Sequence, residues 1–246
     1  MNIKATVLTS PLVFCLALLC GAEASAQNSV ADWFPIHVGD RWTYEQVHLD
    51  GTSGGVAHPE ISRWETQETI LNSATIAEGM LVFRRIQVLG SAPPPVPKQE
   101  NGAWLIRDSC VYVLEQDDWN PADDQLTPSY REVLSAGGIS ADFCFPLRMG
   151  KIWGAPHWGG WRPPAEAKDW KVVGTQARDV LAPNKQNTFH ITSISSYPGS
   201  GLTVDVWIAK GVGIVRKKEV HHGTYQEDRT RLVRFTPGLS ASPTGL

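Results

Sequence analysis

The segment Leu202 to Ala209 alternates without a break. Leu202, Val204, Val206 and Ile208 fall on one face, and Thr203, Asp205, Trp207 and Ala209 on the other. A period of two predicts a half-buried β-strand. Segment 42–49, WTYEQVHL, alternates less tidily, with Trp42 and Tyr44 on one face and Val47 and Leu49 on the opposite one. TFHITSI (188–194) and CVYVLE (110–115) are also β-rich, and PGSG (198–201) has the composition of a hairpin turn. One stretch, PSYREVLSA (128–136), predicts a helix, two turns long.

The pattern is written twice. FPIHVGDRW (34–42) returns as FPLRMGKIW (145–153), with Phe, Pro, Gly and Trp in register. Downstream, Trp64 and Phe83 keep the spacing of Trp170 and Phe189, and AWLIRDSCVYVLE from Ala103 overlays VWIAKGVGIVRKKE from Val206. The overlay pairs Trp104 with Trp207 and Leu105 with Ile208. Several matches in one order argue for duplication. Within the phrase, proline suits strand entry, glycine suits a turn, and tryptophan opens a pleated surface. No polar group stays in register, since His37, Asp40 and Arg41 become Arg148, Lys151 and Ile152. The phrase therefore reads as a structural joint.

These features predict a mainly β, antiparallel fold in which two pseudo-repeats of about five strands pack as a curved sheet, a sandwich or a partly open barrel. We expect one duplicated domain over 27–236: a first repeat at about 33–115, a connector at 116–143, a second repeat at about 144–235, and a flexible tail at 237–246.

FPIHVGDRWTY and WIAKGVGIVR (207–216) together resemble bacterial exported proteins and lipoproteins that open with [FY]-P-[LI]-x-x-G-x-x-W-x-Y and later carry W-x-x-x-G-V-G-[IL]-V-[RK]. The chain is similar in this to the TapB and DUF3108-like groups. That resemblance implies an antiparallel β fold and an extracytoplasmic location, and brings no catalytic residues with it.

The N-terminus agrees on location. Lys4, an apolar core from Leu12 to Leu19 and Ala24-Ser25-Ala26 form a signal peptide, cleaved after Ala26. The apolar core is too short to span a bilayer. Cys15 and Cys20 leave with it, so Cys110 and Cys144 should form one disulfide in an oxidising periplasmic or secreted setting. A net charge of −3 gives no reason to expect nucleic acid as a partner.

Candidate chemistry concentrates where the repeat fails. GAPHWGGWRPP (154–164) follows only the second phrase and presents His157, Trp158, Trp161 and Arg162 on an irregular backbone, suited to stacking and to a forked anion contact. Trp119 lies within EQDDWNPADDQ, whose acids Asp117, Asp118, Asp123 and Asp124 do not match a calcium loop. His221 and His222 are adjacent and would face opposite ways on a strand, a poor metal pair. No metal, cofactor or catalytic residue is expected, and the usual hydrolase and nucleotide motifs are missing. The sequence points to a non-enzymatic binder of an apolar or amphipathic ligand, with lipid, glycan or an envelope protein as partner classes. An envelope hydrolase using dispersed groups such as Glu65, Glu68 and Asp205, or a purely structural assembly module, are the alternatives.

Overall fold

A computed structural model of the chain describes residues 30–51, 60–154, 170–181, 184–197, 200–223 and 225–238. After a single helical turn, α1 (Val30–Trp33), come β1 (Arg41–Gly51), β2 (Glu60–Ile76), β3 (Gly79–Leu89), β4 (Gln99–Arg107) and β5 (Cys110–Leu114). An excursion follows: the short pair β6 (Trp119–Asn120) and β7 (Gln125–Leu126), then α2 (Pro128–Ser135). Next are β8 (Phe143–Cys144), β9 (Ile152–Trp153), β10 (Trp170–Leu181), β11 (Asn184–Tyr197), β12 (Ser200–Ala209), β13 (Gly213–His222) and β14 (Tyr225–Thr236).

Twelve strands form one antiparallel sheet, in the order β8-β5-β4-β3-β2-β1-β14-β13-β12-β11-β10-β9. Each half of the chain is a meander of six strands, one more than the sequence suggests, because β8 and β9 are only two residues long. The meanders join where β1 pairs β14 over the whole length of β1. The sheet curls until its two edges approach one another, giving a nearly closed barrel. At that seam the edges are joined by side chains: Trp153 Nε1 donates to the Ala141 carbonyl (3.1 Å), and Lys151 Nζ donates to the carbonyls of Cys144 (2.8 Å) and Pro146 (3.1 Å). Burial, and secondarily Arg148, holds the Lys151 ammonium below the ordinary lysine range. The disulfide Cys110–Cys144 forms directly across β5 and β8 and staples an edge strand too short to hold itself.

The two copies of the phrase make the same joint. Gly39 and Gly150 both have positive φ (+89° and +75°), where a side chain is disfavoured. Gly39 N–H donates to Ile70 O and Ile70 N–H to Asp40 O; Gly150 N–H donates to Val172 O and Val172 N–H to Lys151 O. Immediately after Ile70 and Val172 each strand carries a β-bulge, at Leu71 and Val173, which are similarly exposed (38% and 37%). Bulges bend strands, as a closing sheet requires.

The register differs from the sequence overlay downstream. With Ile70 matched to Val172, their cross-strand partners Arg84 and Ile191 correspond, and therefore Val82 corresponds to Phe189 and Trp104 to Ile208. The tryptophan overlay is one residue out, and a one-residue slip reverses the face of every side chain. Trp104 accordingly lines the interior cavity, while Trp207 lies on the face of β12 opposite to Val204 and Val206, stacked against His190.

Inside, the alternation of Leu202, Val204, Val206 and Ile208 faces the core as its pattern predicts. One end of the barrel is packed with aromatics: Trp33, Phe34, Trp42, Trp104, Phe143, Phe145 and Trp170 are all buried. A second core lies outside the sheet, where Trp119, Leu126, Tyr130 and Leu134 from the excursion cover Leu81, Phe83, Leu105 and Leu114. Thr127 caps α2 by accepting from Tyr130 N–H, and Pro128 occupies its first turn, so the predicted helix forms over nearly the expected span.

Candidate functional site

Beside the aromatic end the barrel interior keeps a cavity of about 220 Å³. Its wall is divided by chemistry. Phe34, Trp42, Trp104, Phe143, Trp170, Val204 and Val206 supply an apolar side, and Glu68, Arg84, Lys217 and Glu219 a charged one. Val113, Asp142, Phe143 and Trp170 bring the cavity to the seam.

The charged side is built from cross-strand pairs. Glu68 on β2 accepts from Arg84 Nη1 at 2.9 Å, and both side chains are nearly buried. The Arg84 guanidinium lies 5.2 Å from the Trp104 ring centroid, a cation–π contact, and its buried Nε has no hydrogen-bond partner. Gly102 sits opposite Arg84 on β4, and a Cβ there would come within 3.3 Å of that Nε. Glycine therefore makes the room the guanidinium occupies. Lys217 and Glu219 pair at 2.9 Å on β13.

Two residues of β1 tie the cavity to the opposite hairpin. Trp42 Nε1 donates to the Val212 carbonyl at 2.6 Å, and Tyr44 Oη to the Ile214 carbonyl at 3.2 Å. Burial, then the neighbouring Glu68, pushes the Tyr44 phenol well above the ordinary tyrosine range against a smaller opposing effect of Arg84. Tyr44 is accordingly a neutral hydrogen-bond donor inside the barrel.

Further along the same inner face the lining turns polar. Gln46 bridges Thr66 (3.0 Å) and Thr230 (2.7 Å), and His48 Nδ1 meets Asp228 at 2.7 Å. Asp228 stands directly across from Glu219; His48 hydrogen-bonds the first carboxylate and Lys217 pairs with the second. The interior thus grades from aromatic to hydrogen-bonded polar along β1.

The residues singled out by sequence fare differently. His157, Trp158, Trp161 and Arg162 lie outside the described residues. Trp119 is buried in the second core with its ring 5.0 Å from that of Phe83. Cys110 and Cys144 are bonded to each other. Glu68 points into the cavity, whereas Glu65 is exposed opposite Glu45 and Asp205 binds His190 on the outer face, so these three acids do not share one cleft. Among the described residues no group of three His, Cys, Asp or Glu side chains is placed to hold a metal ion, and no helix is long and apolar enough to cross a membrane. Arg84 and Lys217 had no local sequence signal; each acquires its partner and its place through strand pairing.

No protein-family model and no curated relative matches the chain. Solved structures are similar to it in outline. A protein from Bacteroides fragilis assigned as exported, with a YmcC-like fold, has a TM-score of 0.42 at 12% identity, covering 83% of this chain and 98% of that one. A protein from Parabacteroides distasonis assigned as a lipoprotein has 0.42 at 12%, covering 82% and 97%. A domain from Vibrio parahaemolyticus assigned as an outer membrane lipoprotein-sorting protein has 0.25 at 8%, covering 83% and 88%. Likenesses at this level give no residue-by-residue correspondence and carry no argument about function.

Proposed function

We propose that the protein is an exported, non-enzymatic binder of an amphipathic ligand, held inside the barrel with its apolar part against Trp42, Trp104 and Trp170 and its polar end near Arg84 and Lys217. The observation that carries this reading is the cavity wall itself, aromatic on one side and paired charges on the other. Ligand pockets characteristically combine an apolar lining with a few placed polar groups. Entry is at the seam, where side chains rather than a backbone ladder close the sheet. The segment carrying His157, Trp158, Trp161 and Arg162, which falls between β9 and β10 in the sequence, is proposed as its gate. A lipid or lipid-like molecule suits such a wall better than a glycan, which would need more hydrogen-bonding groups among the rings.

Export to the periplasm or medium, with cleavage after Ala26, is part of the proposal. It is supported by the signal-peptide pattern and by the disulfide. Kinship with the TapB and DUF3108-like groups is supported by the two motifs alone. N-terminal sequencing of protein from the exported fraction should begin at Gln27.

The binding reading is tested by native mass spectrometry of that protein, followed by delipidation and rebinding of fatty acids of graded length. The expected result is retained or rebound ligand in the wild type and none in Val206→Trp, which fills the cavity from β12. An empty wild type that rebinds nothing would sink the reading.

A further inference from the structure

Trp207 stands on the outer face of β12, yet it is only 6% exposed. Side chains cover it. The His190 ring stacks on it at 4.5 Å with an interplanar angle of 8°, and its Nε1 donates to Gln176 Oε1 at 3.2 Å. The guanidiniums of Arg178 on β10 and Arg216 on β13 both lie over the indole, at 4.5 and 5.3 Å.

Two guanidiniums sharing one indole repel each other, and the described side chains around them do not neutralise them. Asp205 is engaged by His190 at 2.7 Å. Glu45 is engaged by Arg231 and Arg63, and Glu227 by Arg229 and Lys218. Arg231 stands directly across from Arg216, and Arg229 across from Lys218, which adds positive charge to the same face. Among the described side chains, Arg178 and Arg216 have no carboxylate. Arg178 Nη2 reaches the neutral Gln176, and its buried Nε has no partner among the described residues. Burial, together with the charge of Arg216, lowers the proton affinity of Arg178. A like-charge pair costs stability, and a bound anion would remove that cost.

We propose that Arg178 and Arg216, seated on Trp207, form an oxyanion site of the phosphate class on the outer face of β10–β13. A carboxylate matches one guanidinium fork, whereas a phosphate ester has enough oxygens to accept from two. The stacked indole fixes the forks and lets them face an anion with little loss of side-chain freedom. This site faces away from the interior cavity, so it stands or falls independently of the ligand proposed there. The phosphate could be carried by a soluble ester or by a phospholipid headgroup, and the two are separable.

The test uses the full mature chain. Inorganic phosphate and glycerol phosphate are titrated against chloride at matched ionic strength, following the indole N–H signal of Trp207 and the ring protons of His190 by NMR. The expected result is a saturable shift with phosphate and none with chloride, weakened about tenfold or more in Arg178→Gln and Arg216→Gln. Equal responses to phosphate and chloride, or an unchanged affinity in both variants, would overturn the site. If the glutamine variants fail to fold, Arg178→Lys and Arg216→Lys keep a cation on the indole; affinity equal to wild type there rejects the fork geometry. Sedimentation with phosphatidylcholine vesicles, with and without phosphatidylglycerol, identifies the source. Binding to the anionic vesicles that phosphate competes away assigns a headgroup; phosphate binding without vesicle binding assigns a soluble ester.

Discussion

Phe34 and Phe145, the first residues of the two copies of the repeated phrase, touch: their ring centroids are 5.8 Å apart, edge against face. The two joints therefore converge on one aromatic cluster at the packed end of the barrel. Replacing either ring by alanine removes a buried aromatic and should cost about 3–5 kcal/mol. Because the rings contact one another, the double variant should lose less than the two single losses together, by about 0.5–1.5 kcal/mol. Urea denaturation of the four proteins in the cycle measures this. Strict additivity would show that the two joints are energetically separate.

The glycines of the joint make a sharper comparison. An added Cβ at Gly150 meets nothing within 4 Å, and at Gly39 it meets only Gly238 Cα at 3.5 Å, so any cost of Gly→Ala comes from the backbone angle. Each substitution should lower stability by about 1–2 kcal/mol, and by similar amounts. Gly238→Ala is different in kind: its Cβ would overlap the Val38 carbonyl, and its N–H donates to the buried Asp40 at 2.7 Å. That variant should detach residues 237–238 from the first joint, visible as faster amide exchange at Gly238. Equal exchange in the variant and wild type would contradict it.

Sequence alone carried the fold a long way because its strongest signals are short in range. Period-two alternation put Val204 and Val206 inward, and the glycine and proline of the phrase identified a joint. The cross-strand register was a different matter. Trp104 and Trp207 align by residue type, but unequal strand and loop lengths in the two halves shift the ladders, and a single step exchanges inside for outside. Trp119 reads in sequence as a spare aromatic on an acidic loop; the fold uses it under α2, where the β6–β7 pairing sets it against Leu126 and packing adds Tyr130 and Leu134. The cavity was illegible for the same reason. Glu68 and Arg84 become partners only when β2 and β3 pair, and neither segment carries a motif.

At the seam, β8 has two ladder pairs with β5, and one of them is the disulfide pair. Reduction of Cys110–Cys144, or Cys144→Ser, should lower stability by about 3–4 kcal/mol on the loop-entropy account. The loss should be local first. Hydrogen exchange at residues 141–146 should accelerate in the reduced protein while β1 and β14 stay protected. Uniform acceleration over the whole sheet would contradict a stapled edge.

Tyr44 sets an alkaline limit. Burial, then Glu68, raises its folded-state pKa above the unfolded value near 10, so the folded state holds a proton that the unfolded chain releases. Its contribution is therefore constant below about pH 10 and declines as pH rises beyond that. Tyr112 and Tyr130, also raised by burial, act in the same direction. Urea midpoints measured from pH 8 to 11.5 should fall above pH 10, and Tyr44→Phe should show a shallower fall despite losing the bond to Ile214. An unchanged pH slope in the variant would count against this assignment.

The middle of the sheet is made from the two ends of the described chain, since β1 pairs β14 over Arg41–Gly51 and Tyr225–Thr236. A polypeptide delivered N-terminus first thus presents β1 long before its second neighbour exists. For nearly the whole of synthesis or translocation that strand has one open edge, with Trp42 and Tyr44 lacking the β12–β13 carbonyls they finally bind. Completion of the barrel is a late, long-range event, and the waiting edge of β1 is the place a holdase would have to shield.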